Sequence, residues 1–67
     1  MNKVYCITNK INDKKYVGFT SMTIAERMGQ HRYRAKAGEK SIIHNAIRKY
    51  GWDNFDVSVL YIFKDII

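Results

Sequence analysis

Sixty-seven residues make at most one domain, and a chain this short hides only about 60% of the surface its unfolded form exposes, so any core is small. Twelve Lys and Arg against six Asp and Glu leave a net charge of +6, while an apolar share of 46% with five Tyr, three Phe and one Trp argues against disorder. The single cysteine, Cys6, excludes an internal disulfide and a cysteine-built zinc cluster; with no signal peptide and no apolar run near the roughly 20 residues a bilayer needs, the expectation is a soluble chain in a reducing cytoplasm.

Two short runs open the chain, Val4 to Thr8 and Lys15 to Thr20, both rich in β-branched and aromatic residues. Between them Asn9-Lys10-Ile11-Asn12-Asp13 supplies turn chemistry, so the pair reads as an antiparallel hairpin. Alternation puts Tyr5 and Ile7 on one face and Val4, Cys6 and Thr8 on the other, with Cys6 a buried structural thiol. Gly18, inside the second strand, marks a place where another backbone or a ligand approaches closely. A helix follows: Thr23 with Glu26 three residues on forms a capping box, and Ile24, Met28 and Ala35 line one stripe while Arg27, His31 and Arg34 run along its edge. Ala37-Gly38 ends it. A second helix runs from about Ser41, with Ile43, Ala46, Ile47 and Tyr50 inward and Gly51 in the left-handed stop position. After a turn at Trp52-Asp53-Asn54, Phe55, Val57, Val59, Tyr61 and Phe63 alternate with Asp56, Ser58, Leu60 and Ile62 as a third strand. The predicted order is β-β-α-α-β, an α+β fold with a small three-stranded antiparallel sheet covered by both helices.

Charge concentrates in the first helix and beyond. Arg27, Arg32, Arg34, Lys36 and Lys40 share the stretch from 27 to 40 with Glu39 as its one acid, and His44 and Lys49 follow on the next helix. Such a patch suits a phosphate backbone held without sequence reading; a solvated helix face is the plainer alternative. Trp52 offers a ring to stack on a base, but directly after a helix-ending Gly it reads more naturally as a lid on the core.

The strongest constellation is Tyr5 and Tyr16 on neighbouring strands, facing each other, with Arg27 and His31 one helical turn apart. A phosphodiester under hydrolysis gathers charge on its non-bridging oxygens, which a guanidinium stabilises, while phenol and imidazole position or deprotonate a water. The same four residues also fit two core aromatics and two surface helix side chains, and composition does not choose between these.

Lys3-Val4-Tyr5 and Tyr16-Val17-Gly18 resemble the two elements that name the GIY-YIG nuclease family. The run from Val4 to Gly18 resembles the family's opening hairpin, Arg27 with Gln30-His31 its helix motif, and Ala46-Ile47-Arg48-Lys49-Tyr50-Gly51 with Asn54-Phe55 the approach to its third strand. Each tripeptide is weak evidence alone; four elements in order at fitting distances are specific. The resemblance implies an endonuclease domain acting on double-stranded DNA, of the sort found in homing endonucleases. It implies Tyr5 as general base, Tyr16 bonded to water or phosphate, Arg27 clamping the scissile phosphate, and His31, neutral at physiological pH, orienting Tyr5 or relaying its proton. Lys15 would add a positive charge beside Tyr16, and Lys15, Arg32, Arg34, Lys36, Lys40, His44 and Lys49 would contact DNA.

Two positions depart from the family pattern. Lys3 stands where a Gly is usual. The family also holds a divalent cation, Mg2+ first among candidates, through a Glu on a later helix, and no Glu follows Glu39 in this chain. Asp65 and the apolar end at Ile66-Ile67 supply no substitute, so the expectation is the N-terminal two-thirds of such a domain. The alternative is a module that keeps the fold and DNA binding but does not cut. An abundance of Lys, Ile and Asn points faintly to an AT-rich genome such as that of a phage.

Overall fold

In the computed structural model, which describes residues 1–64, Asn2–Asn9 forms strand β1 and Lys15–Thr20 forms strand β2. Asparagines close the turn between them, Asn9 Oδ1 accepting from the Ile11 amide at 2.9 Å and Asn12 Oδ1 from the Lys14 amide at 3.0 Å. Helix α1, Ile24–Lys36, starts on Thr23, whose hydroxyl accepts from the Glu26 amide at 3.2 Å and donates to the Glu26 carboxylate at 2.8 Å. The box is therefore closed through the Thr hydroxyl. Helix α2, Ile42–Tyr50, is capped in the same way by Ser41 and stops at Gly51, whose φ of 83° is a conformation side-chain-bearing residues rarely adopt. A 3-10 turn over Trp52–Asn54 then leads into strand β3, Phe55–Phe63. Asp65 and the end at Ile66-Ile67 lie outside the described residues.

The sheet has three strands in the order β2-β1-β3, with β1 central and both pairings antiparallel, as the element order predicts. One expectation fails on β3. Between the pairs Tyr5↔Val59 and Val4↔Tyr61, β1 advances one residue and β3 two, so a bulge flips the alternation. Phe55, Val57 and Val59 keep company with Tyr5 and Ile7, whereas Tyr61 and Phe63 join Val4 on the opposite face, where Phe63 meets Phe19 with ring centroids 6.1 Å apart.

Both helices pack on the Tyr5 face. Tyr5, Ile7, Met28, Ala35, Ala46, Ile47 and Phe55 form the core, with Tyr16, Ile24, Ile43, Tyr50, Trp52 and Val57 around it. The other face leaves Val17, Phe19 and Tyr61 exposed. Trp52 takes the lid role, stacked on Phe55 at 5.9 Å and covered by the Arg32 guanidinium at 5.7 Å. Among the described residues no helix is long and apolar enough to cross a membrane, and Cys6 is a free, buried thiol.

Candidate active site

Tyr5 sits mid-way along the central strand, opposite Gly18. The pairing explains that glycine, because a methyl group there would overlap the Tyr5 ring carbon Cζ and its hydroxyl. What approaches β2 closely is thus the phenol itself, laid across the neighbouring strand toward α1. Tyr16 is paired with Ile7, so the two tyrosines are diagonal neighbours on one face and do not stand directly opposite each other. They still share a small cavity of about 60 Å³, lined by Tyr5, Tyr16, Gly18 and His31 together with Ile7, Val17 and Ile43. That is ample for an attacking water, which needs on the order of 15 Å³.

Two side chains one turn apart on α1 meet the Tyr5 oxygen. His31 Nε2 lies 2.8 Å from it, and Arg27 donates from Nε at 3.2 Å. Arg27 also donates from Nη1 to Gln30 Oε1 at 2.7 Å, which fixes the plane of the guanidinium. The sequence expectation set His31 along the edge of the apolar stripe of α1; it is 6% exposed and packs inward with Met28 and Ala35. The reason is its partner, because a ring that reaches Tyr5 must lie between helix and sheet.

His44 is the residue that sequence reasoning misplaced. Expected on the surface as a DNA contact, it is 5% exposed, and its Nε2 lies 3.2 Å from His31 Nδ1. Its Nδ1 in turn lies 2.7 Å from the hydroxyl of Ser41, the exposed residue that caps α2. The signal available in the sequence was the spacing of Ser41 and His44, which puts a side chain three residues into a helix beside its own cap. Burial, reinforced by the charges of Arg27, His44 and Arg34, pulls the His31 pKa down from its ordinary 6.5 to about 4. His44 is also held below its ordinary value, by burial first, with Glu39 opposing the shift and Arg34, Arg48 and Arg27 adding to it. Both rings are neutral at physiological pH, so each offers one N–H and one lone pair.

The basic residues do not form one surface. Lys15 pairs with Thr8, so alternation turns it to the sheet face away from Tyr16 and corrects the expectation of a charge beside that phenol. At roughly 100° per residue, Arg34 falls near Arg27 on α1, while Arg32 and Lys36 are carried about 140° and 180° round. Arg32 covers Trp52, Arg34 pairs with Glu39 at 3.7 Å, and Lys49 lies over the Tyr50 ring at 5.2 Å. Lys36 and Lys40 are exposed. Lys3, in the position where a Gly was expected, donates to the Met22 carbonyl at 3.0 Å and ties β1 to the segment before α1.

No three His, Cys, Asp or Glu side chains among the described residues converge to hold a metal ion. Glu26 is engaged by Thr23, Glu39 by Arg34, and Asp56 lies 3.8 Å from Lys10. The donors around Tyr5 are phenol, guanidinium and two neutral imidazoles bonded to each other or to Tyr5 and Ser41, a set that does not fit a hard divalent cation.

A family model described as the GIY-YIG catalytic domain matches residues 1–66. The chain is also similar to the uncharacterized protein 019R of Invertebrate iridescent virus 6, with 32% identity over 54 residues, covering 81% of this chain and 19% of the viral protein. The matched region is therefore a small part of that relative's length. No solved structure matches the chain.

Proposed function

The chain belongs to the GIY-YIG family of nucleases, and from that premise we propose that it is catalytic machinery for hydrolysing phosphodiester bonds in double-stranded DNA, with Tyr5 as general base. In this proposal Tyr5 takes a proton from the attacking water, which Tyr16 helps to position in the shared cavity. Arg27 meets the scissile phosphate: Nε is engaged by Tyr5 and Nη1 by Gln30, and the guanidinium has further N–H donors on Nη2 to offset the charge that builds on the phosphate oxygens. His31 orients Tyr5. The observation that supports this best is the meeting of Arg27 and His31 on one Tyr5 oxygen at the wall of that cavity. Arg34, Lys36, Lys40, Arg32 and Lys49 would add salt-sensitive attraction to the backbone of DNA without reading its sequence.

The divalent cation of the family, magnesium in this proposal, finds no fitting donor set among the described residues. A second reading has one specific observation behind it. The lack of converging carboxylates among the described residues suits a module that keeps the fold and binds DNA without cutting it.

Nicking of supercoiled plasmid with magnesium separates the two, assayed on the chain alone and on the chain followed by whatever its gene encodes after residue 67. The proposal expects cutting by at least one form and a loss of about 100-fold or more in kcat for both Tyr5→Phe and Arg27→Ala. Salt-dependent retention of DNA with no cutting by either form would establish the non-catalytic reading instead.

A further inference from the structure

A phenol that serves as a base has to lose its own proton before it can take one from water, once in every turnover. Tyr5 is 2% exposed, so the route matters. Of its two partners, Arg27 offers only donors, which leaves His31 as the group able to accept. His31 is itself buried, and its second nitrogen faces another buried imidazole, His44, whose second nitrogen faces the hydroxyl of exposed Ser41. Four polar groups thus link the bottom of the cavity to solvent at the start of α2, with consecutive contacts of 2.8, 3.2 and 2.7 Å.

Resting on the reading of Tyr5 as the base, we infer that His44 and Ser41 complete a proton relay that carries the Tyr5 proton through His31 to solvent. Two hydrogen patterns satisfy the chain. In the first, Tyr5 O–H donates to His31 Nε2, His31 Nδ1–H to His44 Nε2, and His44 Nδ1–H to Ser41 Oγ. Each bond then shifts its proton by one step: Nε2 of His31 gains the phenol proton as Nδ1 releases its own to His44 Nε2, His44 Nδ1 passes its proton to Ser41 Oγ, and the Ser41 hydroxyl proton leaves to water. The second pattern has both imidazoles protonated on Nε2 and a phenolate on Tyr5, which now accepts from His31 Nε2–H and Arg27 Nε–H. One proton has left, no ring has become charged, and the site has passed from a resting phenol to an armed base.

The surroundings favour this neutral hand-over above a route through an imidazolium. His31 faces Arg27 and Arg34 from its own helix, Tyr5 from β1 and His44 from α2; His44 faces Arg34 and Arg27 from α1, Arg48 from α2 and Glu39 from the segment between the helices. Cations outnumber the one carboxylate around both rings. His44 and Ser41 act through Tyr5 and not on the phosphate, so they are positioning residues in this scheme.

Histidine nitrogen NMR on the chain, labelled with nitrogen-15 at His, tests the relay without any cutting. His31 and His44 should carry their protons on the same-named nitrogen, and Tyr5→Phe should change the tautomer ratio of His44, two bonds removed from the substitution. Unlike tautomers on the two rings, or a His44 ratio indifferent to Tyr5→Phe, would overturn the relay. In the form of the protein that cuts plasmid, His44→Gln keeps a hydrogen bond to His31 but passes no proton, and kcat should fall by about 10-fold or more at an unchanged KM. Imidazole should restore His44→Ala, whereas 1-methylimidazole, which fills the same hole without relaying, should not. Parental kcat in His44→Gln, or equal rescue by both compounds, counts against the relay. If Tyr5→Phe cuts at the parental rate, the assignment of Tyr5 as base fails separately, and the tautomer measurement decides the wire by itself.

Discussion

Tyr5 has three neighbours that hold its oxygen in place: Gly18 beneath the ring, and His31 and Arg27 at its tip. Replacing Gly18 by Ala adds a methyl where the phenol lies, and β2 cannot retreat without breaking its ladder with β1. The Tyr5 ring must swing off its two partners. Overpacking of this kind costs about 1–3 kcal/mol, so Gly18→Ala should lower the unfolding free energy by that order and abolish plasmid nicking while the overall fold persists. Urea unfolding and circular dichroism would check the stability, and unchanged nicking would show that Tyr5 does not depend on that gap. At this scale the residue types were legible, since Tyr5, Tyr16, Arg27 and His31 were all identifiable in the sequence. Which of them touch was not. Diagonal pairing of Tyr16, the inward turn of His31 and the burial of His44 all depend on strand register and on how α1 rotates against the sheet.

Among the elements, Arg48 on α2 clamps the end of α1 and the segment that joins the two helices. Arg48 donates to the Ala35 carbonyl at 2.8 Å and the Glu39 carbonyl at 2.7 Å, and also reaches Asn45 Oδ1. Ala35 is among the last carbonyls of α1, beyond reach of an amide four residues on within the helix, and it accepts from the Gly38 amide at 3.1 Å as well as from Arg48. Hydrogen bonds from a charged donor are worth about 1.5–3 kcal/mol where water is partly excluded, so Arg48→Ala should destabilise the chain by roughly 1–2 kcal/mol. Because this joint sets the spacing of His31 and His44, the tautomer coupling between those rings should weaken too. A melting temperature equal to that of the parent would remove Arg48 from this role. Helix starts and stops were readable from Thr23, Ser41 and Gly51 because caps are local chemistry. The bulge on β3 was not, since an alternating run carries no mark of where its partner strand falls out of step.

Over the whole molecule, two neutral histidines in the layer between helices and sheet make folding sensitive to acid. The folded chain resists protonating His31 until about pH 4, whereas the unfolded chain takes that proton near 6.5. Below 6.5 the unfolded state therefore binds more protons, and stability that is complete above that pH drains away as pH falls toward about 4. His44 shifts in the same direction and adds to the loss. Each group contributes at most about 1.4 kcal/mol per pH unit. Thermal melts between pH 7.5 and 4.5 should show a falling midpoint, and a flat profile would mean that the rings are not buried neutral.

Order of elements, fold class and helix ends were determined by the sequence itself, because each rests on interactions within a few residues: alternation, helical period and caps. Tertiary structure alone decided the rest. It paired Tyr5 with a glycine, turned Tyr61 to the far face through the bulge, and joined His31 to His44. The physical reason is that burial and register are properties of two segments meeting, and a buried imidazole reads in the chain like any exposed one until its partner is known.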